Sequence, residues 1–272
     1  MLFVGSCFAD NLGKMFAEQK FRTVVNPFGV MYNPVSIGHS VSRVIEDKRL
    51  PFVAGEAGVA VFTLGTNHVY RLKATGEIVD NCQKRPQSLF QEEKLSVETC
   101  AQSLIDTIDR LHVLYPQVCF MLTVSPIRYR KYGYHGSQLS KATLLLAVDK
   151  VVEHYRLQSD ADGTGQASWR NGQVVYFPAY EIVCDELRDY RFYKPDMLHP
   201  SDQAVTYIWE RLSETYFSAE TLRFLDEWKP LREALSHRPF HPESPEYQSF
   251  LRQTKEKLSA LKRKYPQIEI DV

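Results

Sequence analysis

Short unbroken apolar runs alternate with longer stretches of helical spacing along most of this chain. Residues 2–4 (Leu-Phe-Val) form an apolar run that stops at Gly5, and residues 11–21 then place Leu12, Met15, Phe16 and Phe21 at helix-like intervals. The opening therefore reads strand, tight turn, helix. Residues 23–25 predict a second strand, closed by the turn signal Asn26-Pro27-Phe28-Gly29. Residues 34–45 predict a helix. Residues 57–64 form a near-continuous apolar run ending at Gly65, the profile of a parallel strand covered on both faces. A small hairpin is expected from residues 69–72 and 77–79 around a turn at 73–76. Residues 97–115 predict a helix with Leu104, Ile108 and Leu111 on one face, and 118–124 predict the next buried strand, stopped by Ser125-Pro126. A helix over 139–154, a surface turn over 160–166, a strand over 174–177 and a last core helix from His199 to about Phe217 complete the pattern.

Short strands alternating with helices predict an α/β fold, a mainly parallel sheet with helices on both faces. From about Ser218 the pattern changes. Residues 219–235 and 246–265 read as two amphipathic helices separated by Pro239, Pro242 and Pro245, and they carry no candidate chemistry. The expected division is a core domain over 1–217 and a helical C-terminal extension over 218–272.

Composition narrows the function classes. Lys plus Arg and Asp plus Glu number 33 each, and a net charge of zero argues against bulk attraction to nucleic acid or an anionic membrane. The five cysteines include no Cys-x-x-Cys pair, which fits a reduced compartment and offers no metal-ligand spacing. No run approaches the roughly 18 apolar residues that a membrane span needs. The start, Met1 to Cys7, lacks the basic segment and apolar length of a leader peptide. The expectation is a cytoplasmic protein.

In open α/β sheets, ligands sit beyond the carboxyl ends of the strands. Polar residues are expected there from Gly5-Ser6-Cys7, Phe28-Gly29, Gly65-Thr66-Asn67 and Asp196-Met197-Leu198-His199. Ser6, between strand and helix, reads either as a helix cap or as a nucleophile flanked by helix N-terminal amides. Asp196 lies three residues before His199, close enough for its carboxylate to fix the imidazole tautomer as the orienting acid of a triad does. The backbone N–H groups of Ser6 and Gly29 and the Asn67 amide are expected to hold an oxyanion. Cys7 competes with Ser6 as the intrinsically better nucleophile, but consecutive residues leaving a strand point to different sides, and Ser6 is taken to face the base. Gly65, Thr66, Arg128 and Tyr129 are expected near the substrate. Gly163-Thr164-Gly165 lacks the third glycine of a dinucleotide loop, and Pro239 between His237 and His241 spoils a zinc pair. The reading calls for no metal and no cofactor.

Together these segments resemble the GSCFA family, a branch of the SGNH/GDSL hydrolase-like proteins. The name-giving motif stands as Gly5-Ser6-Cys7-Phe8-Ala9, followed by Asn26-Pro27-Phe28-Gly29, Tyr32-Asn33-Pro34, Thr63-Leu64-Gly65-Thr66, Thr123-Val124-Ser125-Pro126-Ile127-Arg128, Ser140-Lys141-Ala142 and Asp196-Met197-Leu198-His199-Pro200. The resemblance implies a flavodoxin-like three-layer α/β/α sandwich and an esterase or acyl-transferring site. It maps Ser6, Gly29, Gly65 with Asn67, and Asp196 with His199 onto the four SGNH blocks. Where the wider superfamily carries Gly-Asp-Ser, this chain reads Val4-Gly5-Ser6. The expected function is a serine ester hydrolase or acyltransferase using a Ser6-His199-Asp196 triad on a small-molecule or carbohydrate ester. The alternative is a non-catalytic carbohydrate- or protein-binding module that keeps the fold.

Overall fold

Strand β1 (Leu2–Gly5) runs into helix α1 (Cys7–Glu18), then β2 (Val24–Val25), α2 (Pro34–Glu46), β3 (Gly58–Leu64), β4 (His68–Leu72), β5 (Ile78–Val79) and β6 (Phe90–Lys94). After these come α3 (Val97–Leu114), β7 (Val118–Val124), α4 (Gly133–Ala161), β8 (Val174–Tyr176), α5 (Ala179–Glu181), α6 (Asp202–Tyr216), α7 (Ala219–Ser236) and α8 (Pro245–Lys264). The structure is a computed structural model describing residues 1–161 and 172–270.

The main sheet has five strands in the order β2-β1-β3-β7-β8, every neighbouring pair parallel. Numbered within this sheet alone the order is 2-1-3-4-5, which reverses between β1 and β3. Such a switch point opens a crevice at the carboxyl ends of the two strands. Gly5-Ser6 and Gly65-Thr66 leave the sheet on its two sides.

Register explains the runs read from the sequence. Val4, Phe62 and Leu122 share one rung, and Phe3, Val61 and Met121 share the preceding one. The first rung packs with Ile37 and Val41 of α2, Leu104 and Ile108 of α3 and Leu144 of α4 in one continuous core. The other rung points to the opposite face and is buried as well. Both faces are therefore covered, so the strands need no polar alternation. Cutting Phe62 back to alanine would cost roughly 3–5 kcal/mol.

The second sheet is antiparallel, ordered β5-β4-β6. The hairpin of β4 and β5 was expected; β6 was not. Only Phe90 of Phe90–Lys94 is buried, so its sequence lacks a strand's apolar face. Three helix starts also differ from expectation. α1 begins at Cys7, directly after the strand. α4 begins at Gly133 and runs through Ala161, and residues 162–166 of the turn expected over 160–166, with Gly163-Thr164-Gly165, lie outside the described residues. α6 begins at Asp202, because the preceding segment is extended: Tyr193 and Pro200 form a bridge and the Ser201 N–H donates to the Phe192 carbonyl.

The chain divides into two compact units, one of Met1–Lys14 with Thr23–Trp209 and one of Met15–Arg22 with Glu210–Val272. The second has its own apolar cluster, including Phe224, Trp228, Leu231, Leu258 and Leu261. Ser218 and Ser244 cap α7 and α8 by accepting from the Thr221 and Tyr247 N–H groups. The Trp228 indole N–H donates to the Glu18 carbonyl at 2.9 Å. Among the described residues no helix is long and apolar enough to cross a membrane.

Candidate active site

Gly5 ends β1 with φ of +150°, and a Cβ there would lie 2.2 Å from the Thr63 carbonyl oxygen. Only glycine fits, and the turn it makes decides where Ser6 and Cys7 point. Ser6 is fully buried. Its hydroxyl oxygen lies 3.1 Å from Thr63 Oγ1 and accepts from the Phe8 N–H at 3.2 Å, and its own N–H donates to the Thr63 carbonyl at 3.0 Å. These bonds fix the α1 entry. The hydroxyl makes no hydrogen bond with His199 among the described residues, so the structure does not join the expected triad at this end.

Cys7 points the other way. As the first residue of α1 it is partly exposed, at the positive end of a helix whose first amides lack intrahelical acceptors. Its Sγ lies 3.9 Å from the Tyr32 hydroxyl. The Tyr32 ring meets Tyr129 edge-on at 5.8 Å, and the buried Tyr129 hydroxyl has no partner. A Cβ on Gly65 would sit 2.1 Å from that hydroxyl, so glycine at the end of β3 makes room for it. Burial, then the neighbouring Cys7, pushes the Tyr32 hydroxyl up to about 12. Burial, then Tyr32, raises Tyr129 well above its ordinary 10. Both keep their protons at neutral pH and can donate. Tyr32 stands in the sequence as part of the Tyr32-Asn33-Pro34 motif, with no role in the expected site. Its signal is the following Asn33-Pro34, which starts α2 with Asn33 accepting from the Ser36 N–H and so fixes the residue just before it.

The Asp196–His199 pair is formed as expected from its spacing. His199 Nδ1 lies 2.6 Å from Asp196 Oδ2, while Asp196 Oδ1 accepts from the Leu198 and His199 N–H groups at 2.9 and 3.0 Å. These backbone donors, with the imidazole behind them, hold the carboxyl down to about 2. Met197 takes φ of +61° to close the turn. Both side chains are partly exposed, and Nε2 is left for another group. The segment is docked beside the end of β7: the Arg128 N–H donates to the Leu198 carbonyl at 3.1 Å, and the Lys194 N–H to the His199 carbonyl at 2.8 Å. A chain of contacts thus runs from Cys7 through Tyr32, Tyr129 and Arg128 to the residue before His199.

The expected oxyanion donors are not gathered around an open space. The Gly29 N–H donates to the Asn26 carbonyl at 2.8 Å. The Asn67 amide donates to the Leu95 carbonyl at 2.8 Å, tying the start of β4 to the end of β6, and its Oδ1 is buried without a partner. Gly65 and Thr66 both give their N–H groups to the Tyr32 carbonyl at 2.8 Å, and the Thr66 hydroxyl lies 2.9 Å from Ser140 Oγ. These donors are therefore engaged with partners inside the protein. Beneath them Lys141, fully buried on α4, donates to the Gly65 and Ser125 carbonyls at 2.8 and 2.6 Å. Burial lowers its ammonium from the usual 10.5 to about 7. Among the described residues no three His, Cys, Asp or Glu side chains group as metal ligands.

The sequence matches the model of the GSCFA family over residues 1–53 and 50–212, and residues 228–272 match the model described as GSCFA domain protein, C-terminal domain. No curated protein matches the chain.

Proposed function

This chain belongs to the GSCFA family, and from that footing we propose that it is an ester hydrolase or acyltransferase of the SGNH kind, acting at the carboxyl edge of the parallel sheet. The observation that carries the proposal is the ordered Asp196–His199 pair, its Nδ1 held at 2.6 Å and its Nε2 left for another group. An imidazole fixed in that tautomer is a general base, a role that contributes roughly 100- to 10,000-fold to rate.

The nucleophile we propose is Cys7, in place of Ser6. Ser6 is sealed and already bonded to Thr63 and Phe8, whereas Cys7 is open at the start of α1 beside the Tyr32 hydroxyl. The motif supports the same choice: aligning the glycine of Gly-Asp-Ser on Gly5 puts Cys7 at the serine's position. In the proposed cycle His199 takes the thiol proton as the Cys7 sulfur bonds to the acyl carbon. The acyl–oxygen bond breaks, and His199 returns the proton to the leaving alkoxide. Water or an acceptor alcohol, deprotonated by the same imidazole, then bonds to the acyl carbon as the carbon–sulfur bond breaks, and the imidazolium returns its proton to the Cys7 sulfur. The Cys7 N–H, which no described residue accepts, and the Tyr32 hydroxyl beside the thiol are the donors for the oxyanion.

The test is turnover of 4-nitrophenyl acetate by Cys7→Ala, Ser6→Ala and His199→Ala proteins. Cys7→Ala and His199→Ala should lose activity, and Ser6→Ala should keep most of it. The opposite order for Cys7 and Ser6 would return the nucleophile to Ser6. The second reading, a binding module retaining the fold, draws on the commitment of the Gly29 and Asn67 donors to protein carbonyls. It is favoured if the unaltered protein turns over no ester.

A further inference from the structure

Beside the Asp196–His199 segment lies a cavity of about 230 Å³, walled by the loop after β7, the first turns of α4 and residues 180–193. Its charge is lopsided. Arg128 lines it with the guanidinium carbon 4.1 Å from the Tyr193 ring centre and 5.4 Å from that of Tyr190, and no described carboxylate pairs with it. Arg188 and Lys141 also line it. The single lining carboxylate, Asp189, is engaged by Arg191: its Oδ1 accepts from the Arg191 N–H at 2.9 Å, and its Oδ2 lies 3.5 Å from the guanidinium. Gln138 accepts from the Tyr180 hydroxyl at 2.5 Å, which leaves the Gln138 amide protons free to donate.

A guanidinium lying over two tyrosine rings and hydrogen-bonded to the Tyr193 side chain is held in place, and with five N–H donors it keeps others with which to grip a planar oxyanion. The cavity walls are tied at two points to the backbone on either side of His199. The Arg128 N–H meets the carbonyl of Leu198, and Tyr193 bridges to Pro200, so the residues flanking His199 are the ones these walls hold. We infer that this cavity receives a carboxylate or phosphate group of the ester substrate, held by Arg128, so that the substrate class is an ester carrying an anionic group a few bonds from its acyl carbon. Assigning that anion to a substrate rests on the acyl-transfer reading; the anion site itself does not.

Calorimetric titration of the full chain at low ionic strength with succinate, with inorganic phosphate and with neutral succinamide tests the site. At least one anion should bind saturably and succinamide should not; succinate alone binding points to a carboxylate, and phosphate alone to a phosphoryl group. Arg128→Met should weaken binding by about tenfold or more, the range of a lost charge-assisted hydrogen bond, with Arg128→Lys between the two. In the unaltered protein the Tyr190 and Tyr193 ring resonances should shift on titration, which keeps the test open if Arg128→Met does not fold. Equal binding by the unaltered and Arg128→Met proteins, equal binding of succinamide, or no saturable signal at millimolar anion would overturn the inference. His199→Ala should still bind the anion. If its ester turnover also matched that of the unaltered protein, the catalytic reading would fall while the anion site stood.

Discussion

Replacing Lys141 with methionine should flatten the rise of stability with pH that the buried ammonium imposes. Lys141 lies under the crevice, bonded to the carbonyls that follow β3 and β7. Burial brings its ammonium from 10.5 to about 7. Between those values the unfolded chain carries a proton that the folded chain has lost, so stability rises with pH through that window, by about 1.4 kcal/mol per unit where the difference is complete. From pH 7 to pH 9 the gain is roughly 2 kcal/mol, short of two full units' worth because the folded lysine is still half protonated at pH 7. Groups raised by burial act in the opposite sense: Cys100, pushed up to about 12, and the buried tyrosines keep protons above their usual values that the unfolded chain loses. Stopping at pH 9 keeps that opposing contribution small, and subtracting the Lys141→Met profile cancels it. Urea unfolding at pH 7, 8 and 9 is the assay. With a slope of about 2 kcal/mol per molar, the difference in midpoint between the two proteins should change by about 1 M over the range. Its absolute value is less informative, since methionine leaves two carbonyls unpaired at roughly 1–3 kcal/mol each. Parallel midpoints across the range would mean that the folded lysine titrates like a solvated one, and the argument for a dry crevice floor would fail.

Gly5→Ala should destabilise by about 4 kcal/mol or more, among the larger single-residue effects, because φ of +150° and a Cβ 2.2 Å from the Thr63 carbonyl leave it no place; an ordinary urea midpoint would contradict that geometry. Asp196→Asn should cut ester turnover by about 1,000-fold or more through the wrong imidazole tautomer while leaving the fold intact by circular dichroism, and unchanged turnover would remove Asp196 from the mechanism. Trp228→Phe should lose the 2.9 Å bond to the Glu18 carbonyl and lower the thermal midpoint by about 2–4 °C; no shift would mean that the bond contributes nothing to the second unit.

The parts of the fold that were legible in the sequence are those where burial is complete. β3 and β7 are buried between two faces, so their apolar runs announce them, and the amphipathic spacing over 219–235 and 246–265 announces the last two helices. β6 escaped because four of its five residues face solvent or are only half-buried, and pairing with β4 leaves no trace in composition. Within the site, the Asp196–His199 pair could be read because both partners lie on one turn. The direction of Ser6 against Cys7 could not. It depends on the backbone of Gly5 and on Thr63, fifty-seven positions away, and nothing local reports which neighbour turns inward. The same distance hid the fate of Gly29 and Asn67, whose donors were assigned by position while their acceptors, Asn26 and Leu95, are set by the folded turn and by sheet pairing.

Peptide mapping by mass spectrometry after quenching a reaction with 4-nitrophenyl acetate bears most directly on the proposed chemistry. The account predicts one acetyl group as a thioester on Cys7, released by hydroxylamine and absent from Cys7→Ser treated in the same way. Acetyl found as an oxygen ester on Ser6 in the unaltered protein, with Cys7 free, would contradict it.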